Sequence, residues 1–326
     1  STGNIADIDT DNDGSIALTF TWNVGADLAD TDDTTVYIRV VPNDGTVNGT
    51  TVTSNAFALD TADPSVPSGL TITTVATTSL MFTLPTTTST DTNFGEYKIY
   101  YKEGSSGVAT TDTAYTSSTD SNLGSATFSD ATTTTIHGLS QSTQYVFNIW
   151  ALDSFGNSIS AVAEVTTTTY TVPTVVGFTT ANGSTDFSAV TDITAVEDLT
   201  LATASGQIVW SEAVNADGED YDSLVTIGSD YVTVDAGSAD TSLNSSATIT
   251  LTVDSCDPVP TVYYTDGVFG NARSIIEDGS VCNSNTSPAC TSISCSGNTL
   301  TFVVPHFDSY AVQQVFHSGG SIIHTL

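Results

Sequence analysis

The sequence predicts an all-β protein made of tandem sandwich-like modules, the first of which is incomplete. Thr, Ser, Asp, Val and Gly dominate the chain, and the β-branched residues among them suit the pleated surface of a strand. Apolar and polar residues alternate in short runs separated by Gly, Pro, Asn and Asp, as in strands joined by turns. Hydrophobic residues make up 39% of the 326 residues, which is enough for packed cores.

The first predicted module, residues 1–63, has too few strands to close a sandwich. The runs SIALTFTW, TTVYIRVV and SNAFALD predict strands, with Phe57 and Leu59 directed inward, and NDG and PNDG predict turns. A β-sandwich usually needs about seven strands over about 100 residues, whereas this stretch offers four or five. We therefore expect the missing strands to precede Ser1 in a longer precursor or to come from another chain.

The second predicted module, residues 64–169, contains a recognisable sequence segment in which a turn leads into a core strand. Leu139, Thr143 and Tyr145 in GLSQSTQY keep the spacing of an L-x-P-G-T-x-Y segment, although Gln and Ser replace its Pro and Gly. The following run alternates apolar residues as a core strand does. On these residues the module resembles a fibronectin type III domain, an immunoglobulin-like β-sandwich.

That resemblance implies a particular core and a particular kind of role. Tyr97, Ile99 and Tyr101 match strand C of the family, and Phe82 or Leu84 stands where strand B usually has a Trp. The family serves as a spacer and binding module in many contexts, so the resemblance implies a fold and no chemistry.

The third predicted module, residues 170–316, is larger and also rich in strands. Strands are predicted at GQIVWSEAV, SLVTIG, DYVTVD, ATITLTV, TVYYTDG and TLTFVVPHFDSYAV. Apolar residues recur every three positions from Phe187 to Leu199, which fits a short helix or a 3₁₀-like coil. The cysteine-bearing loop and the closing H-F-x-x-Y-A-V are similar to β-rich units of large archaeal surface proteins.

The tail, residues 317–326, is a candidate donor strand behind a flexible Gly-Gly joint. A strand added to an open sheet edge supplies backbone hydrogen bonds and apolar anchors, and head-to-tail contacts of this kind propagate into a fibre. The N-terminal segment GNIADI is the other candidate donor, and the sequence does not choose between them. The candidate anchors are Ile322, Ile323 and Leu326 in the tail, and Ile5 and Ile8 at the other end.

Cysteines and sequons indicate an exported protein. The even number of cysteines suggests disulfides, and their spacing lacks the paired knuckles of a zinc site. Three pairings are open; the short polar loop SNTSPA favours Cys282–Cys290, which leaves Cys256–Cys295. N-x-S/T acceptor sites for glycans occur at Asn48, Asn182, Asn244 and Asn285.

The negative charge of the chain disfavours anionic partners, and its clustered Asp residues suggest a calcium-binding site. A formal net charge of −33 disfavours nucleic acid and anionic lipid, and no apolar run is long enough to span a membrane. The opening D-x-D-x-D-G is not an EF-hand, because Phe20 stands where its bidentate Glu would be. An Asx-rich turn is the alternative to a calcium site. The candidate calcium ligands are Asp7, Asp9, Asp11, Asp13, Asp30 and Asp32.

No catalytic residue and no organic cofactor is predicted. His306, Asp308 and Ser309 are neighbours in the chain, but successive strand residues face opposite ways and do not converge as a triad does. Trp22 and Trp210 are predicted to be core residues, whereas Trp150 is a candidate for a sugar-binding face.

The function predicted from the sequence is a non-enzymatic subunit of an extracellular surface filament or pilus-like fibre of a prokaryote. Its partner would be its own copies, with glycans or a surface receptor as further partners, and its role would be attachment at the cell surface. One alternative is a fragment of a large adhesin or S-layer protein. Another is a carbohydrate-binding accessory module of a secreted hydrolase.

Overall fold

The computed structural model describes residues 19–318 and 321–325, and it describes side chains from residue 19 to residue 314. The described residues divide into two compact units. The first contains residues 19–74, 81–136 and 144–167, and the second contains residues 75–80, 137–143 and the described residues from 168 onward. Paired strands build both units, as the sequence predicts, and the pairs β7–β10 and β17–β21 are antiparallel. None of the described helices is long and apolar enough to cross a membrane.

The described residues of the first module form two separate two-stranded sheets. Strand β1 pairs with β4, and β2 pairs with β3. The run TTVYIRVV, predicted as one strand, is divided between β1 and β2. Residues 19–22 of SIALTFTW are not a strand; the rest of that run lies outside the described residues. The elements are α1 Val24–Asp27, β1 Asp32–Val36, β2 Arg39–Val40, β3 Val52–Thr53 and β4 Phe57–Asp60.

No side chain between residues 19 and 59 is buried. Phe57 and Leu59, predicted to face inward, are half-buried. The expectation that Trp22 is a core residue is wrong, because its indole is half-buried and its Nε1 donates to Asp27 Oδ2 at 2.7 Å. Asp60 is the first buried residue of the described chain. The first module therefore lacks an apolar core among its described residues.

The second module has two sheets. One has the order β11–β10–β7–β8 with β12 also paired to β10, and the other has the order β5–β6–β9. The strands are β5 Thr71–Val75, β6 Ser79–Thr83, β7 Phe94–Glu103, β8 Thr113–Tyr115, β9 Thr133–His137, β10 Gln144–Asp153, β11 Ser158–Ser160 and β12 Val165–Thr168. Two 3₁₀ helices cover Ser121–Gly124 and Phe128–Asp130.

An aromatic cluster fills the core of the second module. Phe82 and Phe147 are fully buried, with ring centroids 4.8 Å apart. Tyr97 stacks on Phe128 at 4.2 Å, and its hydroxyl donates to the carbonyl of Ala126 at 3.0 Å. Phe82 occupies the core of strand β6, as expected, and the predicted core positions of β10 are buried, but the intervening positions of β10 are buried too, so its burial does not alternate. The predicted core positions are Tyr145, Phe147, Ile149 and Ala151.

The third module, in the second unit, has two larger sheets. Their orders are β13–β14–β17–β21–β20 and β15–β16–β22–β18–β19. The strands are β13 Thr200–Ala202, β14 Gly206–Trp210, β15 Val225–Ile227, β16 Tyr231–Val234, β17 Ala247–Thr252, β18 Thr261–Thr265, β19 Ser280–Val281, β20 Thr291–Ser296, β21 Thr299–Val304 and β22 Ser309–Ser318. The helices are α2 Tyr221–Leu224 and α3 Ala272–Asp278, with 3₁₀ turns at Thr180–Asn182 and Thr241–Leu243.

The core of the third module confirms the predicted alternation. Ile249 and Leu251 of β17 and Phe302 of β21 are fully buried, and Trp210 is buried as expected, with its Nε1 donating to the carbonyl of Leu243 at 3.0 Å. The segment Phe187–Leu199, expected to be a short helix or 3₁₀-like coil, is irregular and built of turns. Its apolar residues at 193, 196 and 199 are buried in the core without any regular helix.

Two disulfides lie in the third module. Cys256 is bonded to Cys295 and Cys282 to Cys290, which is the pairing that the loop lengths favour. The second bond is buried, whereas both cysteines of the first are half-buried. The first bond ties the loop after β17 to the edge strand β20, and the second closes a loop beside β19.

The last described residues form a two-stranded ribbon. Strand β22 is ten residues long, and β16 and β18 pair only with residues 309–313 of it. Residues 314–318 pair instead with β23, Ser321–Thr325, in the register Ser318↔Ser321. Ile322 and Ile323 thus belong to a strand, whereas Leu326 lies outside the described residues.

Candidate functional site

Three carboxylates meet at one end of the second module's main sheet. Asp60 ends β4, Asp91 lies between β6 and β7, and Asp153 ends β10. One oxygen from each lies within 4.8 Å of the others. Asp60 and Asp153 are each only 7% exposed, and Asp91 is half-buried. We call these three residues the carboxylate centre.

Local backbone hydrogen bonds hold the centre in place. Asp153 Oδ1 accepts from the backbone N–H groups of Phe155, Gly156 and Asn157 at 2.6–2.9 Å. Gly156 has a φ of +103°, a left-handed value that glycine adopts without steric cost. Asp91 Oδ1 accepts from the N–H of Asn93 at 2.6 Å. The sequence therefore fixes these carboxylates through tight turns.

Asn93 connects the first module to the centre. Its Nδ2 donates to Asp60 Oδ2 at 2.8 Å and to Asp32 Oδ1 at 3.1 Å. Asp32 Oδ2 also accepts from the hydroxyl of Thr92 at 3.0 Å. Asp32 was a predicted calcium ligand, and the structure places it beside the centre through this amide.

The donor set suits a hard cation. Calcium takes six to eight oxygen ligands, mainly carboxylates, carbonyls and water. Buried charges are normally paired or bound to a metal, because desolvation penalises an isolated charge. In the described part of the chain, the ion pairs of Lys98, Lys102 and Arg273 are formed with Glu96, Asp112 and Glu277, away from this centre.

Of the other predicted calcium ligands, only Asp30 lies among the described residues, and it is not one of the three carboxylates of this centre. Asp30 is exposed, with a φ of +51° that marks a turn. Asp7, Asp9, Asp11 and Asp13 lie outside the described residues.

Sequence reasoning missed Asp60, Asp91 and Asp153 because no short motif joins them. The available signal was weak: Asp60 and Asp153 each close an apolar strand pattern, in FALD and IWALD.

The neighbouring His306, Asp308 and Ser309 do not converge. The hydroxyl of Ser309 donates to the carbonyl of Gly267 at 2.7 Å, and Asp308 Oδ2 accepts from the hydroxyl of Tyr264 at 2.9 Å. The ring of His306 lies edge-on to Tyr264, with centroids 5.8 Å apart. Burial, together with the carboxylates of Asp266 and Asp308, raises the pKa of Tyr264, so its phenol stays protonated and acts as a donor.

The proposed sugar face at Trp150 is wrong. Trp150 is only 9% exposed, and its ring packs edge-on against Tyr100 with centroids 5.0 Å apart. Strand β10 is covered on both faces, so the side opposite Ile149 is not open to a ligand. A small pocket of about 220 Å³ lies beside the Cys282–Cys290 disulfide, below the usual size of a ligand cavity, which is about 300–1,000 Å³.

All four predicted glycan acceptors are exposed on the surface. Asn244 also accepts a hydrogen bond from the N–H of Phe307 at 3.0 Å through its Oδ1. The exposed residues are Asn48, Asn182, Asn244 and Asn285.

Comparison with known proteins gives a family match for the second module. The family model of the fibronectin type III domain matches residues 65–172, about a third of the chain. This match supports the resemblance found in the sequence. Modules of this family are often extracellular, structural or adhesive, and typically non-enzymatic. No curated protein matches the chain.

Similar solved structures also carry fibronectin type III domains. The third such domain of human KIAA0343 protein is 15% identical, with 33% of this chain and 83% of that one covered and a TM-score of 0.26. The FN1–FN3 domains of chicken CNTN1 are 13% identical, with 42% and 43% covered and a TM-score of 0.28. The domain of human fibronectin type III domain containing protein 3 is 24% identical, with 33% and 86% covered and a TM-score of 0.23.

Proposed function

We propose that this chain is a non-enzymatic structural subunit of an extracellular surface filament of a prokaryote, with a role in attachment. Copies join head-to-tail when a strand of one copy adds to the first module of the next. One observation carries the proposal: no side chain from residue 19 to residue 59 is buried, although this stretch has strands and apolar residues.

Among the described residues of the first module, each sheet has only two strands. Isolated two-stranded sheets are marginally stable in water, and a third strand or a packing partner is normally needed. Val40 and Val52 lie directly opposite each other in the β2–β3 pair and are 52% and 62% exposed. An added strand would pair with an open edge and cover such side chains, which makes association favourable by burial and by backbone hydrogen bonds.

The other modules fit a mechanical role. The second has a dense aromatic core, and the third has two disulfides, which typically stabilise a fold by about 2–4 kcal/mol each. Disulfides persist mainly in oxidising compartments outside the cytosol. Both features suit a subunit that bears load at a cell surface.

A part of a larger adhesin or S-layer protein is the second candidate function. In that case the strands missing from the first module belong to the same polypeptide and no second copy is required. A carbohydrate-binding accessory module is disfavoured, because the aromatic residue assigned to it, Trp150, is buried.

The test is the assembly state of the purified 326-residue chain. We expect concentration-dependent polymers by size-exclusion chromatography with light scattering, and regular fibres by electron microscopy. Amide hydrogen exchange should show residues 32–60 protected in the polymer and unprotected in dilute monomer, whereas β10 should be protected in both. A chain that stays monomeric at every concentration, with residues 32–60 already protected, would contradict the proposal.

We also propose calcium as a structural ligand of this chain, at the carboxylate centre. Support comes from the three clustered carboxylates, two of them buried, and from the link through Asn93 to Asp32. Calcium bound there would neutralise part of the local charge and connect the first module to the second.

Calcium should raise the melting temperature of the chain, and EDTA should lower it again. A ligand at 100 times its dissociation constant stabilises the folded state by about 2.7 kcal/mol. Asp91→Asn should abolish this response, while Asp278→Asn, at an exposed position in α3, should keep it. Identical melting curves with calcium and with EDTA would leave the centre as a set of hydrogen-bonded turns.

Glycosylation is a further part of the proposed surface role. The four sequons are exposed and therefore accessible to modification. Intact-mass and peptide mass spectrometry of the protein from its native source should find added glycan at one or more of them. Unmodified asparagine at all four positions would remove this part of the proposal.

A further inference from the structure

Both ends of the described chain present two-stranded ribbons that have no third strand. At the C-terminal end this is the terminal ribbon, residues 314–318 paired with residues 321–325. In the first module it is the β2–β3 ribbon, in which Arg39 pairs with Thr53 and Val40 with Val52. Within the described pairings, neither ribbon has a further strand on either edge.

The terminal ribbon continues beyond the sheet to which β22 belongs. Strands β16 and β18 reach only to residue 313, so five further residues of β22 extend about 17 Å with β23 as their partner. A two-stranded ribbon of this kind has unpaired backbone N–H and C=O groups along both edges, which template the addition of another strand.

Charge favours contact between these two regions of different copies. Two chains with a net charge of −33 repel each other, so a stable contact needs surfaces without excess charge. Residues 309–326 contain no Asp, Glu, Lys or Arg. Residues 34–59 contain one of each sign, Asp44 and Arg39, which leaves them neutral overall. The two ribbons can therefore approach each other without repulsion between carboxylates.

Resting on the proposed head-to-tail assembly, we infer that the terminal ribbon of one copy pairs with the β2–β3 ribbon of the next. The partner that adds to the β2–β3 ribbon is thus a second copy of this chain. That copy donates its C-terminal end rather than its N-terminal segment GNIADI. The contact joins two marginal two-stranded ribbons into one sheet and covers Val40 and Val52. Each chain has one donor and one acceptor, at different places, so the contact repeats without closing.

Full-length point variants test the inference through the dissociation constant of assembly. Ile323→Asp places a charge in the donor ribbon, and Val52→Asp places one in the acceptor ribbon. We expect each to weaken assembly by at least tenfold. Val162→Asp, at a position 94% exposed in the second module, adds the same charge elsewhere and should leave assembly unchanged. Ile8→Asp, which tests the other donor, should also leave it unchanged.

A mixing experiment separates donor from acceptor. The Ile323→Asp chain keeps an intact acceptor, and the Val52→Asp chain keeps an intact donor. An equimolar mixture should therefore form discrete dimers by analytical ultracentrifugation, while each variant alone stays monomeric. Near-UV circular dichroism matching that of Val162→Asp would show that both variants are folded.

The outcomes distinguish the two proposals. If the unmodified chain never associates, the filament function fails. If it associates, and Ile8→Asp blocks assembly while Ile323→Asp does not, the filament function stands and the terminal ribbon is not the donor. A mixture that yields no dimers, although both variants are folded, would also overturn the assignment of donor and acceptor.

Discussion

The first and second modules use apolar side chains in opposite ways. In the second, strands β7 and β10 pair along nine positions, and the aromatic residues between the sheets are buried. In the part of the first module that the structure describes, from residue 19 onward, four short strands form two separate pairs, and the apolar residues of β2 and β3 are more than half exposed. Strand-forming sequence is present in both modules, so the contrast shows that strand propensity alone does not bury a side chain; burial requires a second layer packed against the strand.

The largest expected loss of stability comes from a substitution in the core of the second module, compared with one in the exposed β2–β3 ribbon. Phe147→Ala should lower the free energy of unfolding of the second module by about 3–5 kcal/mol, because a fully buried ring is lost and a cavity remains. Val52→Ala should change stability by less than about 0.5 kcal/mol in the monomer. Urea unfolding followed by tryptophan fluorescence measures both, and comparable losses would mean that the first module is packed in solution.

In the third module, the two disulfides should stabilise the fold to different extents. In the chain-entropy account, the stabilisation grows with the separation of the cysteines, which is 39 residues for Cys256–Cys295 and 8 for Cys282–Cys290. We expect paired Cys→Ala substitution to cost about 4 kcal/mol for the first bond and about 2.5 kcal/mol for the second. Thermal unfolding of the two double variants tests this order, and the opposite order would show that local packing outweighs loop length.

The two disulfides should also differ in their reactivity. Cys282 and Cys290 are almost fully buried, whereas Cys256 and Cys295 are half-buried. Mild dithiothreitol followed by alkylation and peptide mass spectrometry should therefore label Cys256 and Cys295 first. Equal labelling at all four cysteines would indicate that the third module opens as a whole under these conditions.

The smallest expected effect concerns one hydroxyl in the core of the third module. The hydroxyl of Tyr221 is buried and has no hydrogen-bond partner among the described residues, and burial raises its pKa so that it stays protonated. Tyr221→Phe removes this unpaired group, so stability should be unchanged or rise by up to about 1 kcal/mol. Tyr37→Phe, at an exposed position in the first module, is the control and should have no effect. A clear loss at Tyr221 would reveal an unrecognised partner.

The sequence by itself determined the fold class and much of the core. Alternation with a period of two is a local property of a strand, so the buried positions of β17 and β21 could be read directly. The segment around Tyr145 and the spacing of the cysteines are also local patterns. They indicated a fibronectin type III domain for the second module and favoured one of three open disulfide pairings, which the structure then contained.

Only the tertiary structure decided what depends on residues far apart in the chain. Asp60, Asp91 and Asp153 come together because the ends of β4 and β10 meet the connection between β6 and β7, and no local motif encodes such a meeting. Trp150 is buried because the sheet is covered on both faces, whereas alternation describes a strand with one face open. The sequence predicts too few strands in the first 63 residues, but the pairing that leaves the apolar residues of β2 and β3 exposed required the fold itself.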